Sequence, residues 1–254
     1  MTAETIKDRV GVIILAAGKG TRMKSERAKV LHSVAGKPMI LYVIDAAVQA
    51  AGNDVVVVIG TQAEEVRKMV SAHADVEFVV QARQLGTGHA AMCALPALKE
   101  HVEHVVVLCG DVPLITTETL NRLIRTHISH NPVVTILGAE IDDPFGYGRL
   151  KQNADGTVER IVEQVDATGD EKQIKTVNTG IYCINRKFLE TALCRIGTDN
   201  AQNEMYLTDI VSIAAGEGKK IELMLCRDNS EMYGINTLDD LKRVESIILG
   251  NEKP

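Results

Sequence analysis

Short apolar, β-branched runs alternate along the chain with longer segments whose apolar residues recur at helical spacing. The run at residues 10–15, VGVIIL, is bounded by small residues, as expected of a strand buried on both faces of a parallel sheet, and is too short to span a membrane. Residues 54–60, 76–80 and 105–109 repeat that signature. Between them, residues 38–51, 62–72 and 86–95 predict helices, the first stopped by Gly52. Strands alternating with helices at this spacing imply right-handed crossovers and a mostly parallel sheet. From about residue 131 the rhythm shortens. Residues 133–140, 148–152 and 157–162 predict strands separated by Asp142-Asp143-Pro144 and Asp155-Gly156, the pattern of an antiparallel hairpin region. Alternation then returns: a strand at 179–184, helices near 186–194 and 206–215, a strand at 221–226, and a last helix from Leu238. The whole reads as one α/β domain over residues 1–254. It is Rossmann-like, with a mixed, mostly parallel sheet, helices on both faces and an inserted antiparallel lobe.

The first strand runs into Ala16, Ala17, Gly18, Lys19, Gly20, Thr21 and Arg22, a loop nearly without side-chain bulk until its cations. Such residues let the backbone approach a ligand, and Gly18 and Gly20 are able to adopt positive φ and turn successive N–H groups toward one anion. Arg22 and Lys29 add full charges, so the stretch reads as a polyphosphate cradle. Two familiar patterns do not fit. A P-loop needs Ser or Thr after a Lys that follows the last Gly, and a dinucleotide fingerprint needs a third Gly where Met23 stands.

Composition narrows the possibilities. The 254 residues carry a net charge of -6, which argues against a general nucleic-acid binder, so anionic substrates must be met by local cations. Five cysteines, an odd number without a CxxC pair, speak against a disulfide framework or a zinc site and for thiols in a reducing compartment. Residues 1–8 are polar and no signal peptide is visible, so the expectation is a cytoplasmic enzyme without membrane partners.

Other candidate residues lie where strands end. Asp111 follows the 105–109 run, at a carboxyl edge where open α/β sheets bind ligands; it suits a divalent ion completed by substrate phosphates, or simply a turn cap. Asn236, just before the last helix, reads first as a cap. Gln81 ends the third strand, and its amide offers a donor beside an acceptor, as the edge of a uracil requires, with the Gly86 N–H available to complete the readout; a capped helix start explains the same residues. In the antiparallel region, the glycines about Tyr147, with Glu163 and Asn178, suit hexose hydroxyls and an acetamido group, or are plain hairpin chemistry. The histidines are not spaced as metal ligands.

The string L-A-A-G-K-G-T-R-M at residues 15–23, followed by K-V-L-H at 29–32 and G-K-P-M at 36–39, resembles the signature of sugar-nucleotide pyrophosphorylases. Most closely it resembles the uridylyltransferase domain of bacterial N-acetylglucosamine-1-phosphate uridylyltransferase. G-D-V-P-L at 110–114 and G-I-N-T-L at 234–238 extend the match over nearly the whole chain. The resemblance implies a fold of the nucleotide-diphospho-sugar transferase type, UTP and a sugar 1-phosphate as substrates, and Mg2+ as cofactor. It implies that Leu15, Ala16, Ala17 and Gly18 hold the nucleotide and that Gln81 and Gly86 read its base. Thr87, Gly148, Glu163 and Asn178 would bind the sugar, Asp111 and Asn236 the metal, and Arg22 and Lys29 would serve catalysis. The expected reaction makes UDP-N-acetylglucosamine and pyrophosphate. Glucose 1-phosphate or another hexose phosphate as acceptor, and a non-catalytic sugar-nucleotide-binding module, are the alternatives. In that family a left-handed β-helix carrying an acetyltransferase usually follows; with the chain ending at Pro254, that second domain is expected to be absent. Two positions depart from the family pattern: Ala28 replaces a usual Pro, and Cys109 occupies a variable position. Nothing in the sequence speaks to oligomeric state.

Overall fold

The computed structural model describes residues 7–18, 20–23, 25–60 and 62–251. Lys19 of the glycine-rich loop and residues 1–6 of the polar start lie outside them. The described elements run β1 (Val10–Ala16), a small ladder of β2 (Ser33–Val34) and β3 (Lys37–Pro38), α1 (Met39–Ala51), β4 (Val55–Ile59), α2 (Ala63–Ser71), β5 (Glu77–Val80), α3 (Thr87–Ala94) and β6 (His104–Cys109). They continue with α4 (Thr117–His130), β7 (Val134–Glu140), β8 (Gly148–Gln152), β9 (Val158–Val162), β10 (Thr176–Asn185), α5 (Arg186–Leu193), α6 (Asp209–Gly216), β11 (Ile221–Leu225) and α7 (Leu238–Ile248).

The main sheet has the order β11-β7-β10-β6-β1-β4-β5. Its β5, β4, β1 and β6 are mutually parallel, and β7 is parallel to β11; β10 runs antiparallel between β6 and β7. Residues on alternate sides of each strand feed two aliphatic cores. Val12, Ile14 and Val57 pack with α1, α2, α4 and α7 on one face, while Ile13, Val56 and Val107 pack with α3, α5 and α6 on the other. This is the mixed, mostly parallel sheet covered on both faces that the apolar pattern predicts. Burial on both faces explains why its central strands read as unbroken apolar runs.

The antiparallel lobe is smaller than expected. Of the three runs assigned to it, only β8 and β9 form a hairpin, which hangs from Val177 and Asn178 of β10. The run at 133–140 is β7, six of whose seven residues are buried, and it lies inside the main sheet. Turn residues on its C-terminal side suggested a hairpin, but burial of both its faces requires neighbours and layers on all sides. The strand expected at 179–184 begins earlier, at Thr176, and its register shifts between Asn178 and Ile181. Helix α4 is not among the predicted elements. Thr116 caps it by accepting the Thr119 N–H at 3.2 Å, and Leu120, Leu123, Ile124 and His127 form its buried stripe.

His127, 1% exposed, shows how closely α4 is applied to the sheet. Its Nδ1 lies 2.8 Å from the Thr135 hydroxyl, and its ring meets that of His104 edge-on at 5.1 Å between centroids. Burial, then the His104 ring beside it, push its pKa down to about 3. The unfolded chain therefore takes up this proton near pH 6.5 and the folded chain only near pH 3, so stability falls as pH drops below about 6.5. The slope from this residue is at most about 1.4 kcal/mol per pH unit. Melting temperatures between pH 7 and 5 are expected to decline less steeply in His127→Gln than in the wild type; parallel declines would refute this.

Candidate functional site

The strand order reverses on either side of β1, whose neighbours are β4 and β6. That reversal opens a crevice beyond the carboxyl ends of the strands, where open sheets of this kind place ligands. A cavity of about 500 Å³ occupies it, and its wall begins with Leu15, Ala16, Ala17 and Gly18. Of the two loop glycines only Gly20 has a positive φ, +60°, and a Cβ there would stand 2.6 Å from the Lys29 Cβ. At Gly18 a Cβ would meet nothing within 4 Å, so the protein leaves space above that backbone. Gly60, at the end of β4, allows the loop to close down, since a Cβ would fall 2.5 Å from the Ala17 carbonyl. The same carbonyl accepts a hydrogen bond from Gln84 Nε2 at 2.5 Å.

One wall of the cavity concentrates charge. Lys29, carried on a single 3-10 turn, is 12% exposed at its side chain and points Nζ at Asp111 Oδ2 (2.5 Å) and Asn236 Oδ1 (2.7 Å). Arg22 Nη2 reaches the same Asn236 oxygen at 2.8 Å. Asp111 and Asn236 are tied through the backbone as well, by Ile235 N–H donating to Asp111 O at 2.9 Å. Glu231, 8% exposed, reinforces that tie by accepting from the Thr116 N–H, the Thr116 hydroxyl and the Thr119 hydroxyl. Two hard oxygens thus converge on one cationic position. Asn236 is not the helix cap its sequence context suggests: the capping box of α7 is made by Thr237 and Asp240. Ala28 has φ −52° and ψ 130°, within the range a proline ring would impose, so its departure from the family pattern leaves the local path of the chain unchanged.

The base-reading candidates line the same cavity. Gln81, 4% exposed, donates from Nε2 to the Gly86 carbonyl at 3.0 Å, and the same nitrogen stands 3.0 Å from His89 Nδ1. Gly86 takes φ +109° and ψ 176° at the start of α3. Thr87 joins it there and accepts the Leu207 N–H at 3.0 Å.

Gly148, Glu163 and Asn178 form a second group that does not line the cavity. Gly148 pairs with Asn178 across β8 and β10, and a Cβ on Gly148 would approach Glu163 Oε2 at 3.4 Å. Asn178 donates to the Tyr182 hydroxyl at 2.7 Å and accepts the Gly180 N–H at 3.1 Å, inside the register shift of β10. Burial pushes the Glu163 carboxyl up, opposed by its bond from the Thr208 hydroxyl. Cys109 joins the two groups: it lines the cavity, and its thiol faces the Gly180 carbonyl at 3.8 Å. Burial, then the Asp111 charge, raise that thiol to about 12, so it is protonated and no nucleophile at neutral pH.

The structure therefore assembles Leu15 to Gly18, Arg22, Lys29, Gln81, Gly86, Thr87, Asp111 and Asn236 about one cavity, and sets Gly148, Glu163 and Asn178 beside it. Residues the sequence did not single out also take part. Glu204 and Gln84 line the cavity, and Thr208 holds Glu163. Gln84 and Glu204 stand just before the predicted helices at 86–95 and 206–215 and Thr208 inside the second, and nothing in that periodicity marks them. The five cysteines are free, and no group of three or more His, Cys, Asp or Glu side chains able to hold a metal occurs among the described residues. Among the same residues no helix is long and apolar enough to cross a membrane.

A loop of small residues after the first strand, a convergent cationic pair and a sheet-edge crevice suit a nucleotidyltransferase, and comparison with known proteins agrees. The chain belongs to the MobA-like NTP transferase domain family, whose model matches residues 12–154. Its fold is the α/β one of nucleotide-diphospho-sugar transferases. It is 44% identical over 243 residues to the bifunctional protein GlmU of Geotalea uraniireducens, covering 96% of this chain and 53% of that protein. To the GlmU of Trichlorobacter lovleyi it is 47% identical over 224 residues, covering 88% and 49%, and to that of Streptococcus suis 48% over 236 residues, covering 93% and 51%. The chain spans about half the length of these relatives.

Proposed function

We propose that this chain transfers a uridylyl group from UTP to N-acetylglucosamine 1-phosphate, releasing pyrophosphate and forming UDP-N-acetylglucosamine. The observation that carries the reading is the convergence of Lys29, Arg22, Asp111 and Asn236 on one side of a cavity whose floor is a small-residue loop. An oxygen of the sugar phosphate attacks the α-phosphorus in line, the bond from that phosphorus to the oxygen bridging toward the β-phosphate breaks, and pyrophosphate leaves with the electron pair. Positioning and charge neutralisation suffice, without a covalent enzyme intermediate. Arg22 neutralises the β- and γ-phosphates, and Lys29 the charge gathering on the α-phosphate. Gln81 and Gly86 read the base; Gly148, Glu163 and Asn178, with Thr87 nearer the nucleotide, hold the sugar.

Asp111 and Asn236 would hold a divalent ion, Mg2+ being the expected one. Their two oxygens already share one cation, Lys29, and two protein oxygens completed by phosphates is the arrangement magnesium favours. When bound, such an ion supplies charge neutralisation that lets two phosphates approach each other.

Pyrophosphate release tests the reading, with UTP and Mg2+ and either N-acetylglucosamine 1-phosphate, glucose 1-phosphate or no sugar. Release is expected with the N-acetylated sugar, more slowly with glucose 1-phosphate, and is expected to vanish in Asp111→Ala. Equal rates with both sugars would assign a broader hexose-phosphate enzyme; no release with either would leave a binding module.

A further inference from the structure

Gln81 is read above as a base-recognising residue, but an amide can present either its oxygen or its nitrogen to a ligand, and the two orientations select opposite bases. The surroundings of Gln81 remove that ambiguity. The Gly86 carbonyl can only accept, so the amide atom 3.0 Å from it is the nitrogen. The second hydrogen of that nitrogen faces His89 Nδ1, also at 3.0 Å. Facing that donor, His89 Nδ1 must be the unprotonated ring nitrogen, with the proton on Nε2; the Cys93 sulfur, 3.8 Å from Nε2 and 3.9 Å from Nδ1, favours neither. Both amide hydrogens are consumed inside the protein, and Oε1 is the atom left for a ligand.

Gly86 supplies the complement. Its carbonyl is taken by Gln81 and by the Ala90 N–H at 3.1 Å, the first bond of α3. No hydrogen bond from its own N–H occurs among the described residues, and Gly86 lines the cavity beside Gln81 and Ala90. The wall therefore offers an acceptor next to a donor. A base with a ring N–H beside a carbonyl, as in uracil, thymine or guanine, matches it; cytosine and adenine, with a ring acceptor beside an amino group, meet it acceptor to acceptor and donor to donor.

We propose that His89, which does not line the cavity, is the positioning residue that sets the polarity of this wall by fixing the Gln81 amide, and so makes the site select uracil over cytosine. The inference rests on the reading of Gln81 and Gly86 as the base-contacting pair. It assigns His89 no contact with substrate. Loss of its acceptor leaves the Gly86 carbonyl as the sole anchor of the amide, which then turns more freely and presents its nitrogen to an incoming cytosine.

The experiment measures kcat and KM for UTP and CTP by pyrophosphate release in the wild type, His89→Phe, His89→Ala and His89→Asn, with melting temperatures for all four. His89→Phe keeps ring volume without an acceptor, and His89→Asn can restore one near the Nδ1 position. The preference for UTP over CTP, as a ratio of kcat/KM, is expected to fall about tenfold in His89→Phe and His89→Ala. The fall is expected in the nucleotide KM, with kcat on UTP and KM for the sugar phosphate held within about twofold, and His89→Asn is expected to recover most of it. An unchanged ratio in folded Phe and Ala variants would overturn the proposal while leaving the base-reading pair intact. So would equal losses in kcat, nucleotide KM and sugar KM, the mark of a merely structural residue. A wild type that uses UTP and CTP alike would overturn the reading of Gln81 and Gly86, and the role of His89 with it.

Discussion

Lys29→Ala is expected to lower kcat for pyrophosphate release by about 30- to 1000-fold, the equivalent of about 2–4 kcal/mol of barrier lost when one preorganised donor is removed from a developing oxyanion. That magnitude reflects where the ammonium sits. It is held by Asp111 and Asn236, with 12% of its side chain exposed, so its charge is little screened by water. Lys29→Arg is not expected to restore the rate. A planar fork is longer and broader than an ammonium, and the place between Asp111 Oδ2 and Asn236 Oδ1 is shaped for a compact point charge. Binding separates this role from a simple folding defect. Lys29 bonds the same two oxygens proposed for a divalent ion, so Lys29→Ala is expected to bind Mn2+ at least as tightly as the wild type while turning over far more slowly. Turnover within threefold of wild type would remove Lys29 from the reaction.

Gly86→Ala carries the second large expectation. At φ +109° and ψ 176° the backbone lies in a region essentially reserved for glycine, at a cost on the order of 1–3 kcal/mol for any other residue. The added Cβ would also stand 2.5 Å from the Met205 carbonyl oxygen and 2.8 Å from the Met205 nitrogen, backbone atoms that cannot swing away as a side chain can. Those atoms belong to the tie between the two loops, in which Met205 N–H donates to Leu85 O at 2.8 Å and Gly88 N–H to Met205 O at 2.7 Å. Relief of the clash must open that tie and move the Gly86 N–H proposed to face the base. Melting is expected to fall by about 5–15 °C, given roughly 2–4 °C per kcal/mol for a chain of this size, with a higher KM for the nucleotide. Gly18→Ala is the contrasting case. A Cβ there meets nothing within 4 Å, so melting is expected to hold while nucleotide binding weakens through loss of the space a phosphate would take. Equal melting changes in the two variants would contradict the separation of roles.

How far the chain's architecture and chemistry were legible depended on the range of the interaction concerned. The buried strands β1, β4 and β6 and the helices α1, α2 and α3 could be read from residue order, because apolar periodicity over five to fifteen residues reports the shape of the surface each segment presents. The glycine-rich loop was legible for the same reason: small residues after a buried strand, followed by cations, are a local pattern with a local consequence. Asp111 and Asn236 could be placed at strand and helix ends, though the expectation that they share one ion came from family resemblance and not from spacing. Periodicity says which face of an element is apolar and is silent on what covers it. Hence β7 read as part of a hairpin region although burial on both faces makes it an interior strand of the main sheet. Lys29 lies 82 residues from Asp111 and 207 from Asn236 in sequence, and no local pattern announces that the three share hydrogen bonds. Nor does any pattern show that Glu204 comes to line the cavity or that His89 faces Gln81. Those relations exist because helices packed on both sides of a twisted sheet bring the carboxyl ends of distant strands to one edge, where side chains that cannot meet along the chain are held within 3 Å of one another.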